Sequence, residues 1–241
     1  MIYDCFTYNG EKDILDIRIN MLAPHVDFFV ICESKQTFSG KEKPIYCTGE
    51  NPRIIHLIAP NIETTNAFER AFKQKEFIKT ALKDCSDDDT IYYGDVDEIW
   101  KPQDVKDDKV YSLEQLNYCY YLNNRSSERW VGTIVGKWGT IKTKDLAYWR
   151  ATHTNEIPNA GWHFTSMGGL DEIKRKLESY DHQEYNTDEV KDSLGMAMKY
   201  GDDYVGRAVD WEGKPFVMQL DESELPSYII SNKEKYVAYF K

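Results

Sequence analysis

The sequence predicts an α/β protein whose mixed, mostly parallel sheet is flanked by helices, and two observations carry that expectation. Short apolar, β-favouring runs alternate with longer runs of helical spacing in the first half of the chain, the order that builds βαβ units. Two of the β-like runs, Val26 to Glu33 and Ile91 to Glu98, end in carboxylates, and open α/β sheets bind ligands at the carboxyl ends of their strands.

In chain order, a strand over residues 2–6 is followed by the turn Asn9-Gly10-Glu11 and a helix from Lys12 to about Leu22. Ile14, Ile17 and Met21 form its apolar stripe, widened by Leu15, Ile19 and Leu22, so the helix packs on the sheet. Arg18 lies within that stripe, either snorkelling to solvent or paired with a buried acid. The strand from Val26 to Glu33 leads into the loop Ser34 to Pro44, whose Ser34, Ser39, Gly40 and Lys41 are candidates to meet a nucleotide; a solvated loop is the plain alternative. Residues 53–59 read as a third strand. Asn66 caps a helix with Phe68, Ala71, Phe72, Ile78 and Leu82 at helical spacing and with Arg70 and Gln74 on one face. Ile91 to Ile99 is a buried strand ending in Asp95, Asp97 and Glu98, and Trp100-Lys101-Pro102 closes a nucleotide-binding half, residues 1–102.

The second half is less regular. Lys109 to Asn123 holds two Tyr-rich β-like runs, and Trp130 to Trp138 suits a hairpin or strand pair, so antiparallel additions are expected here. A short helix over 143–150 ends at Arg150, and Gly161-Trp162-His163-Phe164 places a His beside a Trp. A helix over 170–180 carries Asp171 and Glu172 in its first turn, where the helix dipole favours acids; an N-cap is the structural reading of Asp171. His182 and Glu184 flank its end, before a helix over 187–200.

Composition narrows the function. Thirty basic against 41 acidic residues, a formal charge of -11 and no Lys/Arg block exclude a phosphate-backbone partner, so no nucleic acid is expected. Seventeen Tyr and 6 Trp offer flat rings for sugar stacking as well as core filling. Five scattered cysteines without a Cys-x-x-Cys point to reduced thiols and give no support to zinc ligation, and no apolar run approaches the length of a membrane span, so the expectation is a soluble, cytoplasmic protein. Within the acidic strand end, residues two apart on an extended chain point the same way about 6.6 Å apart, which would let Asp95 and Asp97 share one divalent cation. A solvated acidic turn is the bland alternative.

Taken together, Asp4-x-Phe6 with Glu11 and Arg18, the run Glu33-Ser34-x-x-Thr37-Phe38-Ser39-Gly40, Asp95-Val96-Asp97-Glu98-Ile99, and Gly161-Trp162-His163-Phe164 followed by Gly168-Gly169 resemble glycosyltransferase family 17. The resemblance implies a GT-A-like fold in a single domain, residues 1–241, with an acceptor-side half at 103–241. It implies a UDP-sugar donor, UDP-N-acetylglucosamine favoured, a glycan acceptor, a divalent metal (Mn²⁺ or Mg²⁺) on the Asp-x-Asp, and inversion at the anomeric carbon. On that basis Asp97 is the direct metal ligand, Asp95 binds the ribose or a metal-bound water, and His163 is the candidate third ligand, with a core or stacking role as its alternative. Asp171 is the candidate catalytic base and Glu172 its rival. Glu33, Ser34, Ser39, Gly40, Arg70 and Arg150 are assigned to the nucleotide, and Trp162, His182 and Glu184 to the acceptor. Lys75 stands where the family has Arg, which keeps the charge without the bidentate geometry. Animal members carry a membrane anchor that this sequence does not show, so the acceptor need not be an N-glycan.

Two other readings remain open. A sugar nucleotidyltransferase also needs carboxylates and Mg²⁺ on an α/β sheet, but usually has a Gly-rich, Lys/Arg-bearing loop after its first strand, where this chain has Thr7-Tyr8-Asn9-Gly10-Glu11. An inactive carbohydrate-binding module would need only the aromatic richness, and the presence of both Asp95 and Asp97 stands against it.

Overall fold

A computed structural model describes residues 1–210 and 212–241. The elements follow in the order β1 (Ile2–Thr7), α1 (Lys12–Leu22), β2 (Phe28–Ser34), β3 (Ile54–Ala59), α2 (Ala67–Glu76), β4 (Thr90–Asp95) and β5 (Glu98–Trp100). The second half adds β6 (Tyr111–Cys119), β7 (Asn124–Lys137), α3 (Trp138–Ile141), α4 (Leu146–Thr152), β8 (Gly161–Thr165), α5 (Gly169–Ser179), α6 (Asp188–Tyr200), β9 (Met218–Leu220) and α7 (Ser227–Ser231).

The strands form one mixed sheet in the order β3-β2-β1-β4-β7-β6-β8-β5, with β9 added on β7. β3, β2, β1 and β4 run parallel, and β6 and β8 are parallel to each other. β7 joins β4 and β6 antiparallel, and β5 lies antiparallel to β8. This is the α/β, GT-A-like arrangement that the sequence predicts.

Side chains alternate across the sheet, which gives it two apolar faces. Phe6, Phe29, Ile31 and Tyr92 face a core shared with Ile14, Ile17 and Leu22 of α1 and Ile229 of α7. Cys5, Val30, Ile91 and Tyr93 face the opposite core, with Ile78, Leu82, Trp138, Ile141 and Leu146. A third cluster, Tyr120, Ile173, Leu177 and Leu194, seats α5 and α6 beside the end of β6.

The expected boundaries of α1 hold, and the Asn66 side chain caps α2 by accepting from the Phe68 and Glu69 amides. Two expectations are corrected. Residues 130–137 are no hairpin but part of β7, a 14-residue strand paired with β6, and Trp138 opens α3. The acidic strand does not run through to Ile99: it turns at Val96 and Asp97, and β5 leaves in a new direction. The extended-chain argument for Asp95 and Asp97 sharing a cation therefore does not apply.

Candidate active site

A cavity of about 450 Å³ opens at the carboxyl ends of β1, β2 and β4. Thr7, Tyr8, Thr37 and Phe38 line one part, while Asn117 of β6, Glu128 and Trp130 of β7 and His163 of β8 line another. The turn carrying Asp95 and Asp97 is also in its wall.

Two buried side chains fix that turn. Arg18 is fully buried; its Nε and Nη2 donate to the Asp4 carboxylate at 2.8 and 2.7 Å, which decides between pairing and snorkelling. Its Nη1 donates to the carbonyls of Asp95, Val96 and Glu98 at 2.8, 3.2 and 2.7 Å, so one guanidinium holds the whole turn. Trp100 Nε1 gives Asp4 a further bond at 2.8 Å. Glu98, buried below, accepts from Arg150 Nη1 and Nη2 at 2.9 and 2.8 Å, from Trp130 Nε1 at 3.0 Å and from Thr133 Oγ1 at 3.1 Å. Glycine makes this possible at two positions: a Cβ on Gly94 would sit 2.5 Å from Glu98 Oε2, and one on Gly132 would overlap Glu98 Oε1.

Around this scaffold the cavity collects cations. Asp95 receives Lys75 Nζ and Arg150 Nη2, each at 3.1 Å. Burial alone would raise its carboxyl pKa, but these two cations outweigh burial and hold it far below the usual carboxylate range. Asp97 receives Lys176 Nζ at 3.1 Å, and there too the cation outweighs burial and the pKa is lowered. Lys75, Arg150 and Lys176 all line the cavity.

His163 is buried and stacks on Trp130, ring centroids 4.1 Å apart. Asn117 donates its amide to Glu128 at 3.3 Å, which leaves its oxygen to accept from His163 Nδ1 at 3.0 Å. Burial lowers the His163 pKa, so the ring is neutral and its bare Nε2 faces Asp97 Oδ1 at 3.7 Å. Two acceptors facing each other across that distance fit a divalent cation at about 2.1 Å from each. Within the cavity, Asp97 and His163 are therefore the pair placed to hold a metal, whereas both oxygens of Asp95 are engaged by protein cations.

Of the other sequence candidates, Arg150 and His182 line the cavity. Trp162 does not: alternation along β8 turns it away from His163, and its indole donates to the Glu224 carbonyl at 2.7 Å. Asp171 is exposed and lines neither this cavity nor the smaller one of about 180 Å³ that adjoins it at Glu11, Asp97 and Lys176. Glu172 lines the smaller cavity, paired with Arg175 at 2.7 Å. Glu184 is an exposed partner of His182, at 2.7 Å.

The nucleotide candidates at the end of β2 and beyond it, Arg150 apart, act on the loop rather than on the cavity wall. Glu33 is buried and accepts from the Tyr46 and Cys47 amides, and Ser34 accepts from the Gln36 amide. Ser39 donates to the Glu178 carbonyl at 2.7 Å, tying the loop to α5. Arg70 donates to the Phe38 and Thr64 carbonyls, and Gly40, at a φ of +93°, lets the guanidinium lie against it. Lys176, Asn117, Glu128 and Trp130 were not singled out from sequence. The available signal was polar residues at inward positions of apolar strands: Gln115 and Asn117 between Leu113 and Tyr118, and Glu128 on the same side of β7 as Ser126.

Fold and cavity together define an α/β protein with a densely charged, ion-paired cavity at its strand ends. Residues 1–197 match the sequence profile of glycosyltransferase family 17, and the chain belongs to that family. It is thus a glycosyltransferase by family, which implies a nucleotide-sugar donor and an acceptor. No curated protein matches the sequence significantly. Among solved structures, the 2-C-methyl-D-erythritol 4-phosphate cytidylyltransferase (IspD) of Francisella tularensis is similar, with a TM-score of 0.41 and 10% identity over 72% of this chain and 97% of that one, a likeness too slight to bear on mechanism. Among the described residues no helix is long and apolar enough to cross a membrane.

Proposed function

We propose that the chain transfers N-acetylglucosamine from UDP-N-acetylglucosamine to a glycan hydroxyl, with inversion at the anomeric carbon. The observation that carries this reading is the gathering of Lys75, Arg150 and Lys176 with the Asp97–His163 pair on one cavity wall. The leaving group is a diphosphate, and fixed cations aimed at its developing charge stabilise the transition state more than the ground state. A cavity of about 450 Å³ lies within the range used for ligands of nucleotide size. The nucleoside is assigned to the part lined by Thr7, Tyr8, Thr37 and Phe38, and the sugar to the part across β4, beside Asn117, Glu128 and Trp130.

In the reaction the acceptor oxygen bonds to the anomeric carbon as the bond from that carbon to the phosphate oxygen breaks, and the electron pair leaves with UDP. The acceptor proton needs a base. Asp171, the sequence candidate, faces solvent, so the proposal assigns the proton to Glu128, whose carboxyl pKa is raised by burial against the opposing pull of Arg207. A divalent cation, Mn²⁺ or Mg²⁺, held by Asp97 and His163 would supply further positive charge at the leaving phosphate.

A donor panel tests the proposal: purified protein, several nucleotide sugars, a set of glycan acceptors, and free nucleoside diphosphate as readout. UDP release from UDP-N-acetylglucosamine, dependent on acceptor and abolished by chelation, is expected. Turnover of a different nucleotide sugar would replace the donor assignment. Pyrophosphate release from UTP and a sugar phosphate, without sugar transfer, would overturn the reading in favour of nucleotidyl transfer.

A further inference from the structure

Outside the cavity, one group of side chains has the composition of a metal site. Glu33 near the end of β2, His56 on β3 and Cys47 in the connection between them bring one ligand atom each to within 4.8 Å of one another. It is the only such three-residue group among the described residues. None of the three lines the cavity. We propose that Glu33, Cys47 and His56 bind a zinc ion that staples the β2–β3 connection to the sheet.

The geometry is built rather than incidental. Glu33 is fully buried, and its two oxygens are oriented by the amides of Cys47 at 2.7 Å and Tyr46 at 2.8 Å, which bring the thiol-bearing segment onto the carboxylate. His56 points its Nε2 at Glu33 Oε1, 3.8 Å away. That nitrogen is shielded from solvent and has no hydrogen-bond partner, a state that a metal bond would relieve. Lys43 lies 3.5 Å from Glu33 Oε2 and supplies part of the positive charge that the buried carboxylate requires. Desolvation raises the Cys47 thiol pKa, so ligation must drive its proton off to solvent as the sulfur–zinc bond forms.

Donor chemistry selects the ion. One thiolate, one imidazole and one carboxylate suit the borderline Zn²⁺, whereas Mn²⁺ and Mg²⁺ prefer oxygen and gain little from a thiolate. Three protein ligands leave a fourth tetrahedral position for water. The staple also has a place to act. The same connection supplies Gln36, Thr37, Phe38 and Lys43 to the cavity wall, so fixing its far end at Cys47 limits the motion of that wall.

The test uses full-length protein stripped with chelator and dialysed, titrated with Zn²⁺ by calorimetry and with Co²⁺ as a spectroscopic probe. One equivalent of Zn²⁺ is expected to bind and raise Tm, with a thiolate-to-cobalt charge-transfer band on adding Co²⁺. Cys47→Ser should abolish the band, and both Cys47→Ser and His56→Gln should weaken Zn²⁺ by roughly 100-fold, at least the loss typical of disturbing a ligand's support. Asp97→Asn should leave Zn²⁺ binding intact, which separates this site from the cavity and keeps the result independent of the glycosyltransfer reading. No thiolate band, or Zn²⁺ binding that survives both Cys47→Ser and His56→Gln but is lost in Asp97→Asn, would overturn the proposal.

Discussion

Asn117 connects the two groups on which the proposed chemistry turns, orienting His163 through Nδ1 while its amide holds Glu128. Glu128 is the base in the proposal, so Glu128→Gln should lower kcat roughly 100-fold or more with little change in donor KM, the usual scale for losing a general base. Asp171→Asn, at an exposed position, should turn over almost normally; a dead Asp171→Asn beside an active Glu128→Gln would return the role to α5. The sign of the pH dependence follows from the environment. A base works ionised, and burial raises the Glu128 pKa, so kcat/KM should fall with acid at a higher pH than an ordinary glutamate would give. Arg207, 2.7 Å from Glu128, favours the ionised form. Arg207→Gln should therefore move this acid limb further up, and a limb that stays still would separate the profile from Glu128.

The turn between β4 and β5 is the element that the buried Arg18–Asp4 pair exists to hold, and it can be tested apart from catalysis. Arg18→Met strands the Asp4 carboxylate without its cation, which should destabilise the protein by about 3–5 kcal/mol. Arg18→Met combined with Asp4→Leu removes both charges and should recover much of that loss in a denaturant titration. Activity should not recover, because the carbonyls of Asp95, Val96 and Glu98 still lack their shared donor. Recovery of both together would show that Arg18 matters only as a counter-charge. The break in the strand was legible only as the alternative of an acidic turn: Gly94, Asp95 and Asp97 suit one, but Val96 continues the apolar pattern and Ile99 and Trp100 resume it. By contrast α1 was legible to its boundaries, because Ile14 and Ile17 recur with the helical period and are buried, with Leu22 and Arg18 rather than Met21 completing the buried face. Trp162 and His163 illustrate the period of two: adjacent on β8, they face opposite ways and cannot both serve one site.

On the scale of the whole molecule, the ion-paired wall is built by topology. Lys75 and Arg150 lie in the last turns of α2 and α4 and Lys176 in that of α5, three elements whose convergence no local window of a chain with formal charge -11 reveals. Acidic motifs could be read because their members are adjacent; their partners could not. The segment beyond the family match, residues 198–241, also belongs to the fold rather than trailing from it. Leu225, Ile229 and Tyr236 are buried in the same core as Phe6, Ile17 and Tyr92. Asp16 accepts from Tyr236, and Asp13 from Tyr239 at 2.6 Å, so the tail is bonded to α1, the helix that carries Arg18. Burying a large apolar side chain contributes about 1.5–3 kcal/mol, so three of them amount to a large share of the roughly 5–15 kcal/mol that stabilises a domain. A chain ending at Leu220 should therefore lose its cooperative unfolding transition, or show a Tm lowered by well over ten degrees. Tyr239→Phe, which removes only the bond to Asp13, should change Tm by a few degrees at most and leave turnover intact. If the shortened chain melted like the full one, the tail would be an appendage, and the support of the turn between β4 and β5 would have to be sought wholly within residues 1–220.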